Sequence, residues 1–79
     1  MNKNIEYLII SERYLELSKY IELGTVKMED AVNELIHLND AFYIYRFARD
    51  VKDAPIDKLA DVVIATQNAK YIYKFAFDV

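Results

Sequence analysis

The sequence predicts an all-α fold of tandem two-helix repeats, 28 residues long, assembling as a small solenoid or a compact six-helix bundle. Three observations predict it. One segment returns 28 residues later, apolar residues recur at helical spacing along the chain, and residues that compete for backbone hydrogen bonds separate the periodic stretches.

Asn39-Asp40-Ala41-Phe42-Tyr43-Ile44-Tyr45-Arg46-Phe47-Ala48-Arg49-Asp50-Val51 returns as Gln67-Asn68-Ala69-Lys70-Tyr71-Ile72-Tyr73-Lys74-Phe75-Ala76-Phe77-Asp78-Val79. Eight of the thirteen pairs are identical, and Arg46/Lys74 keeps its charge. The preceding segments align at the same offset, with Met28 opposite Ile56, Glu29 opposite Asp57, Leu35 opposite Val63 and Ile36 opposite Ile64. The repeat thus divides one domain, 1–79, into a half unit at about 1–10, full units at 11–38 and 39–66, and a half unit at 67–79.

A first helix is expected at 2–10, where Tyr7, Leu8 and Ile10 fall opposite Leu35, Ile36 and Leu38. A second is expected at 12–23, where Leu15, Leu17 and Leu23 fall opposite Tyr43, Tyr45 and Val51, with Ser11 as candidate cap. The third, 27–38, carries Met28, Ala31, Val32, Leu35 and Ile36 on one face, after a hinge of Gly24-Thr25 in which Thr25 could cap it.

The fourth, 41–51, follows the cap candidate Asp40 and places Ala41, Ile44, Ala48 and Val51 at i, i+3, i+7, i+10, with Phe47 joining them. The fifth, 55–66, bears Ile56, Leu59, Ala60, Val63 and Ile64. Asp53 is its candidate cap, and Pro55 is tolerable in its first turn. The sixth, 68–78, repeats the fourth behind Asn68. Helices this short are marginal alone in water, so stability must come from stacking hairpin on hairpin. The shared face predicts that Ala48 and Ala76 are close-packed where one helix crosses another, while Tyr43/Tyr71 and Phe47/Phe75 fill gaps between hairpins.

With 54% apolar and 14% aromatic residues, the chain can build a dense core without disulfides, for it has no Cys. That absence removes thiol nucleophiles and cysteine zinc sites and fits a reducing, cytoplasmic setting. The N-terminus lacks a basic segment followed by a long apolar stretch, so no signal peptide is expected. The run Tyr7 to Ile10 is too short to span a bilayer. A formal charge of −3, with both signs interspersed, disfavours nucleic acid, which would have to use Lys70, Lys74, Arg46 and Arg49.

Catalysis has little to build on. The one glycine, Gly24, cannot make a phosphate-cradling loop, and Ser11 and Ser18 have no histidine near them in sequence. His37 has only Glu34 and Asp40 nearby as a weak metal set, of a kind common on solvated helices. The chain is therefore expected to be no enzyme, with no catalytic, cofactor or metal residues.

A strip of the second, fourth and sixth helices combines aromatic, apolar and basic side chains. It comprises Tyr45 and Tyr73 with Phe42/Lys70 and Arg49/Phe77, continued by Tyr14, Leu17 and Ile21. Tyr and Arg are enriched where proteins bind tightly. Tyr14, Phe42, Tyr45, Arg49, Lys70 and Tyr73 are thus candidates for a protein partner, burial inside a bundle being the other reading. The last helix carries Tyr71, Phe75, Phe77 and Val79 toward an apolar surface, expected to be covered by a second copy in a two-fold homodimer.

The copies Tyr43-Ile44-Tyr45-Arg46-Phe47-Ala48-Arg49-Asp50-Val51 and Tyr71-Ile72-Tyr73-Lys74-Phe75-Ala76-Phe77-Asp78-Val79, with the segment 52–64 between them, resemble short helical-hairpin repeats of bacterial and phage-encoded proteins whose function is poorly defined. The resemblance implies a helical repeat, strongly over half the chain and weakly over the rest, and no mechanism. Small, acidic, Cys-free proteins of that type include inhibitors that occupy a surface of a host defence nuclease. The resemblance therefore implies an interaction module, in its sharpest form an anti-CRISPR-like inhibitor, with a self-associating structural oligomer as the alternative.

Overall fold

The computed structural model describes residues 3–79, with side chains from Asn4 onward. Met1 and Asn2, where the first expected helix begins, lie outside the described residues. Six helices follow one another: α1 (Lys3–Ile10), α2 (Tyr14–Glu22), α3 (Met28–Leu38), α4 (Ala41–Asp50), α5 (Ile56–Ala65) and α6 (Ala69–Asp78). No strand occurs among the described residues, and no helix is long and apolar enough to cross a membrane.

Two helix starts use the expected side chains. Asp40 Oδ1 accepts from the Phe42 amide at 3.0 Å, and Asn68 Oδ1 accepts from the Tyr71 amide at 3.3 Å, each satisfying one of the orphan donors of a first turn. The other expected caps are corrected. Ser11 instead donates its hydroxyl back to the Tyr7 carbonyl, because Glu12, at φ 61°, turns the chain one residue later and leaves Arg13 to precede α2. Neither Thr25 nor Asp53 caps a helix; Lys27 and Pro55 occupy those positions without a side-chain bond.

α4 is the hub. It packs on α1, α2, α5 and α6, whereas α6 packs chiefly on α4 and α5. The buried residues follow from this: Ala41, Ile44, Tyr45, Phe47 and Ala48 are all buried on α4, while Phe75 is the single buried residue of α6. Ile5 and Ile9 of α1, Leu17 of α2, Leu35 of α3, and Leu59 and Val63 of α5 complete the centre. Each large apolar side chain removed from water contributes about 1.5–3 kcal/mol, which offsets the entropy of ordering six short helices. The Cα radius of gyration is 11.4 Å within extents of 33 × 21 × 20 Å.

The shared face of α4 and α6 has two fates. Ala48 is buried as expected, but Ala76 is exposed, because no described helix covers that side of α6. Ala76 instead lines a shallow apolar groove with Ile56, Ala60, Val63 and Ile64 of α5 and with Ile72, Phe75 and Val79. Glu34 also departs from expectation. It is buried on α3, and its Oε1 accepts no hydrogen bond among the described residues.

Candidate functional site

A helical period of 3.6 residues gives α4 three faces, each with its own neighbour. Ile44, Ala48 and Val51 form the face buried deepest. Tyr43, Phe47 and Asp50 form a second, on the side of α2. There Tyr43 lies close enough to Tyr14 to act on its titration, and Arg46 sets its guanidinium 5.0 Å from the centre of the Tyr14 ring. Phe42, Tyr45 and Arg49 form the third, which meets α6. Tyr71 packs its ring against Phe42 at 5.6 Å and against Tyr45 at 5.9 Å, and the Tyr45 hydroxyl donates to Asp78 Oδ2 at 2.5 Å.

Charges along this seam are paired. Arg49 donates to both carboxylate oxygens of Asp50 and, at 3.2 Å, to the Tyr45 hydroxyl. Arg46 bridges Asp50 at 2.9 Å and Glu12 at 2.5 Å. The hydrogen bond from Arg49, and then that from Arg46, hold Asp50 below the usual carboxylate range, against partial burial. The bond to Asp50 raises Arg49 in turn, as does the Tyr45 hydroxyl. Burial pushes the Tyr14 hydroxyl upward, with Arg46 opposing, and that hydroxyl donates to the Ile9 carbonyl at 3.2 Å.

The expected partner strip is therefore divided. Tyr14 and Tyr45 are buried, each on a helix against which the next helix in the α2, α4, α6 series is packed. Phe42 is half-buried under Tyr71, and Arg49 is exposed but held by Asp50. Of the six, Lys70 and Tyr73 are exposed and form no ion pair among the described residues. The self-association set divides likewise. Phe75 is buried and Tyr71 half-buried against α4, so both already serve the chain's own packing, whereas Phe77 and Val79 are exposed.

Of this strip, the side of α6 that carries Tyr73 and Phe77 remains open. Tyr73 is 67% and Phe77 76% exposed, their rings stacked with centroids 5.8 Å apart, in a depression lined also by Ala69, Lys70, Lys74 and Asp78. Lys70 stands 5.4 Å from the Tyr71 ring, and neither lysine forms an ion pair among the described residues. Phe77 and Lys74 thus belong with Tyr73. The i, i+4 spacing of 73 and 77 and of 70 and 74 was the signal for it, since such pairs share a helix face.

Elsewhere, exposed apolar side chains such as Leu15, at 82%, and Leu23, at 67%, lack a stacked aromatic neighbour. His37 is exposed, and no group of three or more His, Cys, Asp or Glu among the described residues could hold a metal ion. Compared with models of protein families, with curated protein sequences and with solved structures, the chain shows no significant match.

Proposed function

We propose that this chain is a non-catalytic protein-interaction module whose docking face is the open side of α6. The observation that carries the reading is the stacked pair Tyr73 and Phe77, 67% and 76% exposed, flanked by Lys70 and Lys74. Aromatic rings left wet in a contiguous patch are a standing free-energy cost in water, and such patches on small proteins mark interfaces. Two unpaired lysines at the rim favour a partner that brings carboxylates to the same place.

The architecture behind this reading is the tandem repeat. α4 and α6 begin and end 28 residues apart, and α3 and α5 begin 28 residues apart. In its sharpest form the proposal is a small phage-type inhibitor that sits on a surface of a host defence enzyme. That form rests on the resemblance of the two copied segments to short helical-hairpin repeats.

Capture from bacterial lysate with the full chain tests the reading, using as comparison a Tyr73→Ala, Phe77→Arg variant shown to melt like wild type. One stoichiometric partner, held by wild type and lost by the variant, is expected. A wild type that captures nothing, or a variant that captures the same protein equally well, overturns the proposal.

A second reading, self-association, is favoured by the groove between α5 and α6. Ile72, Ala76 and Val79 line it, and their counterparts Ile44, Ala48 and Val51 are buried within the chain. A second copy covering this groove would bury the same face on α6.

A further inference from the structure

The docking face of α6 is the third occurrence of one surface, and the first two show what fits it. At positions 28 residues apart, Leu17 of α2 is 0% exposed, Tyr45 of α4 is 4% exposed and Tyr73 of α6 is 67% exposed. α2 is packed on α4, and α4 is packed on α6. The covering helices carry the same three residue types at the same spacing, Tyr43, Phe47 and Asp50 on α4 and Tyr71, Phe75 and Asp78 on α6, although Asp50 is bonded to Arg46 and Arg49 of its own helix. Their spacing of four and then three residues sets them on one helix face.

The interface between α4 and α6 shows the role of each group. The Tyr71 ring packs between Phe42 and Tyr45, Phe75 is buried at 5% exposure and also lines the groove against α5, and Asp78 accepts a hydrogen bond from the Tyr45 hydroxyl. Tyr73 keeps the ring and hydroxyl of Tyr45 but has no acceptor among the described residues. Two replacements adjust the surface without changing its logic. Lys70 stands for Phe42 and can hold an aromatic ring through its charge, while Phe77 stands for Arg49 and extends the apolar area.

Resting on the reading of α6 as a docking face, we infer that its partner is an α-helix carrying the pattern Tyr-x-x-x-Phe-x-x-Asp, the pattern α6 itself presents to α4. The aromatic ring of such a helix seats on Lys70 and Tyr73, its phenylalanine lies beside Phe77, and its carboxylate accepts from the Tyr73 hydroxyl with Lys74 nearby.

The test uses the full chain and a labelled synthetic peptide of residues 67–79, titrated by fluorescence anisotropy while NMR follows the aromatic signals of Tyr73 and Phe77. Binding is expected to shift both rings. It is expected to weaken about thirtyfold or more when the peptide carries Phe75→Ser or Asp78→Lys, or when the chain carries Tyr73→Ala. Equal binding of the altered peptides overturns the pattern. Because a short peptide is marginally helical, a second measurement uses the chain lengthened at Val79 by another copy of residues 52–79. Protection of Tyr73 and Phe77 there, lost with the same two substitutions in the added copy, supports the inference. Rings that stay solvent-exposed, together with no peptide binding, overturn it. If a lysate protein is captured through Tyr73 and Phe77 but docks a loop or strand, this inference fails while the docking face stands.

Discussion

Replacing Glu34 by methionine should stabilise the protein. Glu34 sits in the middle of α3 at 4% exposure, and its Oε1 accepts no hydrogen bond among the described residues. A buried acceptor left unpaired costs about 1–3 kcal/mol. Methionine has nearly the same helix propensity and length, fills irregular space with a flexible thioether, and removes the orphan oxygen without opening a cavity. The expected gain is about 1–3 kcal/mol, and for a domain of this size each kcal/mol moves Tm by roughly 4–8 °C. Thermal melts followed by far-UV circular dichroism measure it. Glu34→Gln should gain less, because an amide in the same place leaves one polar atom unpaired. A methionine variant that melts several degrees below wild type refutes the reasoning, since Oε1 must then have a partner whose loss outweighs the gain.

Four further outcomes follow from the packing. Ala48→Leu should cost about 1–3 kcal/mol by overpacking a buried site, whereas Ala76→Leu, at the exposed counterpart, should leave Tm nearly unchanged; equal effects at both positions would contradict the different cover of α4 and α6. Tyr45→Phe should lose about 0.5–1.5 kcal/mol with its bond to Asp78, while Tyr73→Phe should lose nothing measurable in chemical denaturation. Asp50, held below its ordinary range by Arg49 and Arg46, contributes stability that is present above its unfolded value near pH 4 and lost as pH falls through the lower folded value. Asp50→Asn should therefore flatten stability against pH in that acid window, and a wild-type profile already flat there would disprove the pairing. Finally, if self-association uses the groove between α5 and α6, sedimentation should show a dimer that Ala76→Arg splits, and a concentration-independent wild-type monomer removes that alternative.

Helices were legible in the sequence because apolar spacing and Asp40 and Asn68 state them locally: a side-chain oxygen two or three residues before the amide it caps needs no tertiary information. The three faces of α4 were legible as angles. Which neighbour covers each was not, because Tyr45 and Tyr73 are the same residue in nearly the same local sequence yet 4% and 67% exposed. Only the presence of α6 beyond α4, and of no described helix beyond α6, separates them. The burial of Glu34 was not legible for a related reason. A lone carboxylate on an amphipathic helix reads as solvated, whereas α3 is packed on α1 and this carboxylate is buried.

Every junction between consecutive helices contains one residue in the left-handed region, namely Glu12, Gly24, Asn39, Asp53 and Gln67, and only one of these is glycine. For an L-residue that conformation costs roughly 1–2 kcal/mol, less for Asn and Asp. At Glu12 the side chain recovers something by reaching Arg46, but at Asp53 and Gln67 no ion pair or side-chain hydrogen bond among the described residues does so. Gly24 has open space around its missing side chain, so its φ of +82° alone explains the residue. The corners at Asp53 and Gln67 therefore hold a reserve of unrealised stability that lies apart from the buried contacts. A chain with such a reserve can change the residues of a working surface, even at some cost in folding, and recover the loss at a corner that touches nothing else.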